Sequence, residues 1–139
     1  VNLAVVLDGS DSVGSANYLV EQEFAKSITA AFAERNLFAN GGTASYVKSS
    51  SSFIDQYASD TGTFFSLEDF NNFVDGNQFN GGITDIDDGI TAARYLLNAA
   101  PPASAAFIVV VIAGIKITIG IAADEARADG ITLYAVGVG

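Results

Sequence analysis

Asp8, Ser10 and Ser12 alternate in the stretch Asp8-Gly9-Ser10-Asp11-Ser12, so one short segment offers a carboxylate and two hydroxyls. Oxygens of this kind are hard donors, suited to Mg2+ or Ca2+. Another hydroxyl stands in Gly81-Gly82-Ile83-Thr84, far along the chain. With both loops at one end of a sheet, Ser10, Ser12 and Thr84 would share a site with Asp8. Neutral hydroxyls neutralise a dication poorly, so the ion keeps a strong attraction for an anionic group from outside. Such a set favours docking a partner's Asp or Glu over holding a structural ion. Simpler roles compete with this one. Ser10 and Ser12 are favoured helix-capping residues, and Thr84 could cap the helix that follows it. Asp85, Asp87 and Asp88 suit the first turn of that helix, where the positive end of the dipole favours carboxylates.

The elements around these residues decide whether the loops can meet. Val1–Leu7 is apolar except for Asn2 and reads as a strand buried on both faces, which ends where Asp8 begins the polar loop. Ala16–Asn36 has helical periodicity, with Val20, Phe24, Ile28, Ala31 and Phe32 on one apolar face. Thr43–Lys48 and Phe53–Ser59 predict a hairpin at one edge of the sheet, joined by the polar Ser49–Ser52 connector. Leu67–Val74 predicts a short helix, and a longer one starts at about Asp85 with Ile86, Ile90, Ala93 and Leu97 as its buried stripe. Phe107–Ile112 and Ile131–Val138 read as buried strands on either side of an Ala-rich helix, Ala122–Ala128. Ile115–Ile121 alternates like a strand where a loop or helix start is expected. Tyr18, Tyr46 and Tyr57 read as packing or surface aromatics. Alternating strands and helices indicate an α/β fold: a doubly wound, mostly parallel sheet flanked by helices, with one antiparallel edge strand. Val1–Leu7, Phe107–Ile112 and Leu133–Val138 should be parallel neighbours in that order, with ligands at the carboxyl ends of the strands.

Composition narrows the chemistry. The chain of 139 residues suits one domain. It carries 6 Lys and Arg against 16 Asp and Glu, and the basic residues are scattered, which argues against nucleic acid. No stretch approaches a membrane span, so no membrane insertion is expected. With no Cys and no His, zinc, iron–sulfur and haem sites are unexpected, as are Ser-His-Asp and Cys-His catalysis. An aspartyl phosphotransferase would need a second Asp at position 10, where Ser10 stands, and no phosphate-binding glycine loop follows the strand. The chain is therefore read as a binding module and not an enzyme.

The paired loops, the helix between them and the closing segment Gly130–Gly139 resemble the von Willebrand factor type A domain and the related integrin I domain, over essentially the whole chain. The resemblance implies a metal-ion-dependent adhesion site built from an Asp-x-Ser-x-Ser loop, a Thr of a second loop and an Asp of a third. Ser10, Ser12 and Thr84 would coordinate Mg2+ or Ca2+ directly, and Asp8 mainly through water. The partner would be a protein or extracellular-matrix ligand with an exposed Asp or Glu. A secreted or cell-surface location within a larger protein follows from the same likeness. One departure concerns the third loop, where Ile112-Ala113-Gly114 places Ala113 at the position of the expected Asp. Losing that charge weakens cation binding or leaves the site without metal, and Asp11 or Asp85 are candidates to compensate. The alternative function is a metal-silent scaffold that assembles through protein contacts. Family members continue with a helix, a strand and a final helix. Residues 1–139 are thus expected to form a single domain lacking those elements, with Leu133–Val138 left as an uncovered apolar edge for added chain or a partner.

Overall fold

A computed structural model describes residues 1–39, 41–50, 53–58, 66–113 and 120–138. The elements run β1 (Asn2–Asp8), α1 (Gly14–Glu34), β2 (Thr43–Ser50), β3 (Phe53–Ala58), α2 (Leu67–Gly76), α3 (Ile86–Ala99), β4 (Ala106–Ala113), α4 (Ile121–Ala128) and β5 (Thr132–Val138). Every residue of β1 is buried, as its unbroken apolar run requires of a strand covered on both faces. The sheet order is β3-β2-β1-β4-β5. The β1–β2, β1–β4 and β4–β5 pairs are parallel, whereas β3 runs antiparallel to β2. The strand sequence β1, β4, β5 across one half of the sheet is the order expected from the chain. Ser51, Ser52, Ser59 and Ile115–Ile119 lie outside the described residues, and so do the side chains of β3, including Tyr57.

Strand alternation sorts the core into two layers. Leu3, Val5 and Leu7 of β1 face α1 and α2 together with Tyr46, Val109 and Val111. Ala4 and Val6 face α3 and α4 together with Val47, Ile108, Val110 and Ile112. The stripe of α3, Ile86, Ile90, Ala93 and Leu97, is buried as its spacing predicts. Helix α1 differs from expectation. Its buried residues are Tyr18, Glu21, Gln22, Ala25 and Thr29, while Val20 is 49% exposed and Phe24, Ile28 and Phe32 are half-buried. Tyr18 and Gln22 face inward with hydrogen-bond partners, Tyr46 and Asn77 for the first and the backbone of Val74 and Asn77 for the second, and the apolar stripe is turned to the flank.

On that flank Ile28 and Phe32 meet Phe107, Val109, Tyr134 and Val136 around an open apolar groove of about 440 Å3. Tyr134 of β5, the outer strand of the described sheet, is 55% exposed. Among the described residues no helix is long and apolar enough to cross a membrane.

Candidate functional site

Asp8 is the last residue of β1 and only 1% exposed. Its Oδ1 accepts the Ser10 backbone N–H at 2.9 Å, an Asx turn that reverses the chain immediately after the strand. Gly9 N donates to Ser49 O at 2.9 Å, tying the turn to β2. Glycine is required there, since a Cβ would stand 2.9 Å from Cγ of the buried Lys48 side chain. The turn delivers Ser10 and Ser12 to the entrance of α1 without making them caps. The N-cap of α1 is Val13, with no side-chain capping hydrogen bond among the described residues.

The other loop is positioned by α3. Asp85 caps this helix, its Oδ1 accepting Asp88 N at 3.3 Å, so the capping role falls to Asp85 and not to Thr84. Gly89 brings the first turn of α3 onto the sheet; a Cβ there would lie 2.7 Å from Ser49 Cβ and 2.8 Å from Val6 Cγ1. At this close approach Ser49 Oγ donates to Asp85 O. The two loops also clasp each other. Asp11 N donates to Gly82 O at 2.8 Å, and the Asp11 carboxylate lies against Gly81, where any Cβ would collide with Oδ1. Gly81 has φ +76, so this position favours glycine for its backbone as well.

The result is a closed triangle of hydroxyls. Ser10 Oγ and Ser12 Oγ are 2.8 Å apart, Ser12 Oγ and Thr84 Oγ1 3.1 Å, and Thr84 Oγ1 donates to Ser10 Oγ at 3.0 Å. Ser10 is fully buried, whereas Ser12 and Thr84 are exposed, so the triangle is reached from one side. Asp8 stands beneath it through the Ser10 turn. Of the other carboxylates, Asp11 rests on Gly81, Asp85 caps α3, and Asp87 Oδ1 accepts Gly120 N at 2.7 Å. The Asp85 side chain, followed by its charge, a small desolvation and the charge of Asp87, raises the Asp88 carboxyl above the usual carboxylate range. Among the described residues no three His, Cys, Asp or Glu side chains gather as a metal-binding group, so any ion here must rest chiefly on hydroxyls. Ala113 closes β4, two residues beyond the Leu7–Val111 pair and at the same end of the sheet as Asp8.

A buried polar network behind the triangle escaped the sequence reading. Lys48 Nζ donates to Gln78 O at 2.7 Å, and Gln22 Nε2 donates to Val74 O and Asn77 O, both at 2.7 Å. Tyr18 donates to Asn77 Oδ1 at 3.1 Å, which leaves the Tyr46 hydroxyl, 2.6 Å away, to donate to Tyr18. Burial, then the neighbouring Tyr18, pushes the Tyr46 hydroxyl far up, so it stays protonated. Tyr18 and Tyr46 are therefore more than packing aromatics: with Gln22 and Lys48 they hold residues 74–78, the segment leading into the Thr84 loop. One signal was available in the sequence: the lysine that closes the predicted strand Thr43–Lys48.

The family model for the von Willebrand factor type A domain matches residues 2–139. Among curated proteins, none matches the chain in sequence. Solved structures do match. Proximal thread matrix protein 1 from the mussel byssus, in a form with a zinc-occupied MIDAS motif, superposes with TM-score 0.71 at 20% identity over 99% of this chain and 35% of its own. The pilus adhesin SpaC from Lactobacillus rhamnosus GG gives TM-score 0.73 at 15% identity, over 99% of this chain and 24% of its own. BatB from Bacteroides thetaiotaomicron, a conserved hypothetical protein, gives 0.69 at 18% identity over 100% and 67%. The chain thus spans about a third of the mussel protein and a quarter of the adhesin. At these identities the likeness establishes the fold.

Proposed function

Because the chain belongs to the von Willebrand factor type A family, we propose that it is a non-enzymatic binding module that docks an acidic group of a protein or matrix partner through a divalent cation. Ser10, Ser12 and Thr84 would hold the ion and Asp8 would orient its water. The observation that carries this reading is the hydroxyl triangle with edges of 2.8, 3.0 and 3.1 Å. Neither serine caps α1 and Thr84 does not cap α3, so helix termini do not account for the three hydroxyls. Oxygens on one face of an octahedron about Mg2+ are spaced by about 3.0 Å, and those about Ca2+ by roughly 3.3–3.7 Å. The triangle therefore suits Mg2+, and its all-oxygen character suits Mg2+ over zinc. The bound ion would supply a Lewis-acidic contact for a carboxylate. The protein supplies orientation through the Asp8–Ser10 turn and shielding through the buried Ser10. Matrix and adhesin neighbours support an extracellular or cell-surface setting.

Isothermal titration with Mg2+ tests the reading. Thr84→Val keeps the shape of an exposed side chain and removes one donor, so affinity should fall at least tenfold. Ala113→Asp should raise it, because an added carboxylate compensates charge that the hydroxyls leave exposed. Equal affinity for the native chain and Thr84→Val would overturn the assignment. A second reading, a metal-silent scaffold, is favoured by Ala113 at the end of β4. It predicts no Mg2+ heat in the native chain and its appearance in Ala113→Asp.

A further inference from the structure

The rim of the hydroxyl triangle carries an unusual pairing of side chains. Ile83, between Gly82 and Thr84, is 75% exposed, the highest value among the exposed large hydrophobic residues of the described chain. Its backbone is held on both sides: Gly82 O accepts Asp11 N, and Thr84 Oγ1 bonds Ser10 and Ser12. An isoleucine on a clamped loop loses little conformational freedom when covered, so its burial converts efficiently into affinity. Ile121, 70% exposed, stands at the start of α4, which Asp87 ties to the first turn of α3 through Gly120 N. Among the described residues, the exposed charged groups of the loops and helix start around the triangle are acidic, Asp11 and Asp88. A partner approaching the triangle thus meets a clamped aliphatic contact inside a negative surround.

We infer that Ile83 is a specificity-determining residue, and that the partner presents an acidic residue directly beside a large aliphatic one, with basic flanks. The inference rests on the cation reading above, because the acidic residue needs the ion to overcome the negative rim. Charge complementarity sets the flanks: a second acid beside the docking residue would face Asp11 or Asp88, whereas Lys or Arg would be attracted. Serine in place of the aliphatic residue would leave Ile83 in water and forfeit its burial.

Three short synthetic peptides test this by NMR titration of the labelled chain in saturating Mg2+. They have the sequences Lys-Leu-Asp-Lys, Lys-Ser-Asp-Lys and Glu-Leu-Asp-Glu, each blocked at both ends. The first should bind about tenfold more tightly than the second, and the third most weakly, with the gap between first and third shrinking in salt. Ile83→Ser should abolish the leucine preference while leaving the Mg2+ affinity of the chain alone unchanged. Equal binding of the leucine and serine peptides by a chain that binds Mg2+ would overturn the role of Ile83 and leave the cation reading standing. A leucine preference that depends on Ile83 but persists without Mg2+ would overturn the cation reading and leave the Ile83 contact standing. Failure of all three peptides to bind in saturating Mg2+ would overturn the inference.

Discussion

On the face covered by α1 and α2, the core mixes apolar side chains with hydrogen-bonding ones: Tyr18 against Tyr46, Gln22 against the backbone of residues 74 and 77, Lys48 against Gln78. On the face covered by α3 and α4, the apolar cluster is Ala4, Val6, Val47, Ile90, Ala93, Ile108, Val110 and Ala126, with the short Ser45 and Ser49 of β2 buried on the same side. Both faces serve the same loop. The first holds residues 74–78 by directional bonds, and the second places Thr84 by bringing α3 onto Val6 and Ser49 through Gly89. Directional bonds orient a segment but add little net stability each, whereas apolar contact stabilises strongly and tolerates little change of volume. The two kinds of support should therefore respond differently to substitution.

Ile90→Ala, in the middle of the apolar layer, should have the largest effect on stability. Ile90 is fully buried, and its truncation should cost about 2–5 kcal/mol by urea denaturation. A loss below that range would mean that α3 rests on the sheet less firmly than its burial indicates. Gly89→Ala comes next. The added Cβ has no room against Val6 and Ser49, so the first turn of α3 must move, costing about 1–3 kcal/mol despite the better helix propensity of alanine. Because Thr84 moves with that turn, Mg2+ affinity should fall too, which calorimetry on the folded variant would show. Unchanged affinity would mean that the loop clasp alone places Thr84.

On the opposite face Tyr46→Phe should cost only about 1 kcal/mol, since Tyr18 keeps its bond to Asn77 and the ring still fills the core. A loss as large as that of Ile90→Ala would erase the distinction between the faces. The smallest effect concerns the rim of the apolar layer, where Arg94 bonds Asp129 and Glu125. The Arg94 hydrogen bond, with help from Asn98, holds the Asp129 carboxyl below the usual carboxylate range. A carboxyl depressed in the folded state stabilises above its unfolded value, and that contribution is lost as pH falls through the folded one. Asp129→Asn should therefore flatten the acid limb of the stability profile slightly, and a steeper limb would contradict the assignment. Asp88 has the opposite sign: its raised carboxyl favours folding at low pH, and the benefit disappears as pH rises through the folded value.

Much of this arrangement was legible before the structure. The unbroken run of β1, the period of α3 and the hydroxyl-bearing loops lie in local pattern, and local pattern reports burial and turns well. Helix α1 differs from its local pattern because its inward face carries Glu21, Gln22 and Thr29, and the partners of Gln22, the backbone oxygens of Val74 and Asn77, come from a distant segment. Gly89 was passed over for the same reason: its need is for space beside Ser49 and Val6, which no local period records. The clasp of Asp11 on Gly81 and Gly82 is equally non-local. For Ile115–Ile121, the helix α4 begins at Ile121, and the preceding residues 115–119 fall outside the described part.

The separation between the two loops has an entropic side. Ser12 and Thr84 meet across 72 residues of chain, and Ser10 and Thr84 across 74. Contacts of such range carry the entropic cost of closing the intervening loop, so neither loop can form the triangle by itself. Neither a nascent chain lacking α3 nor a partly unfolded one can assemble the triangle. A ligand held by the triangle would, by mass action, stabilise only states in which the two loops have met.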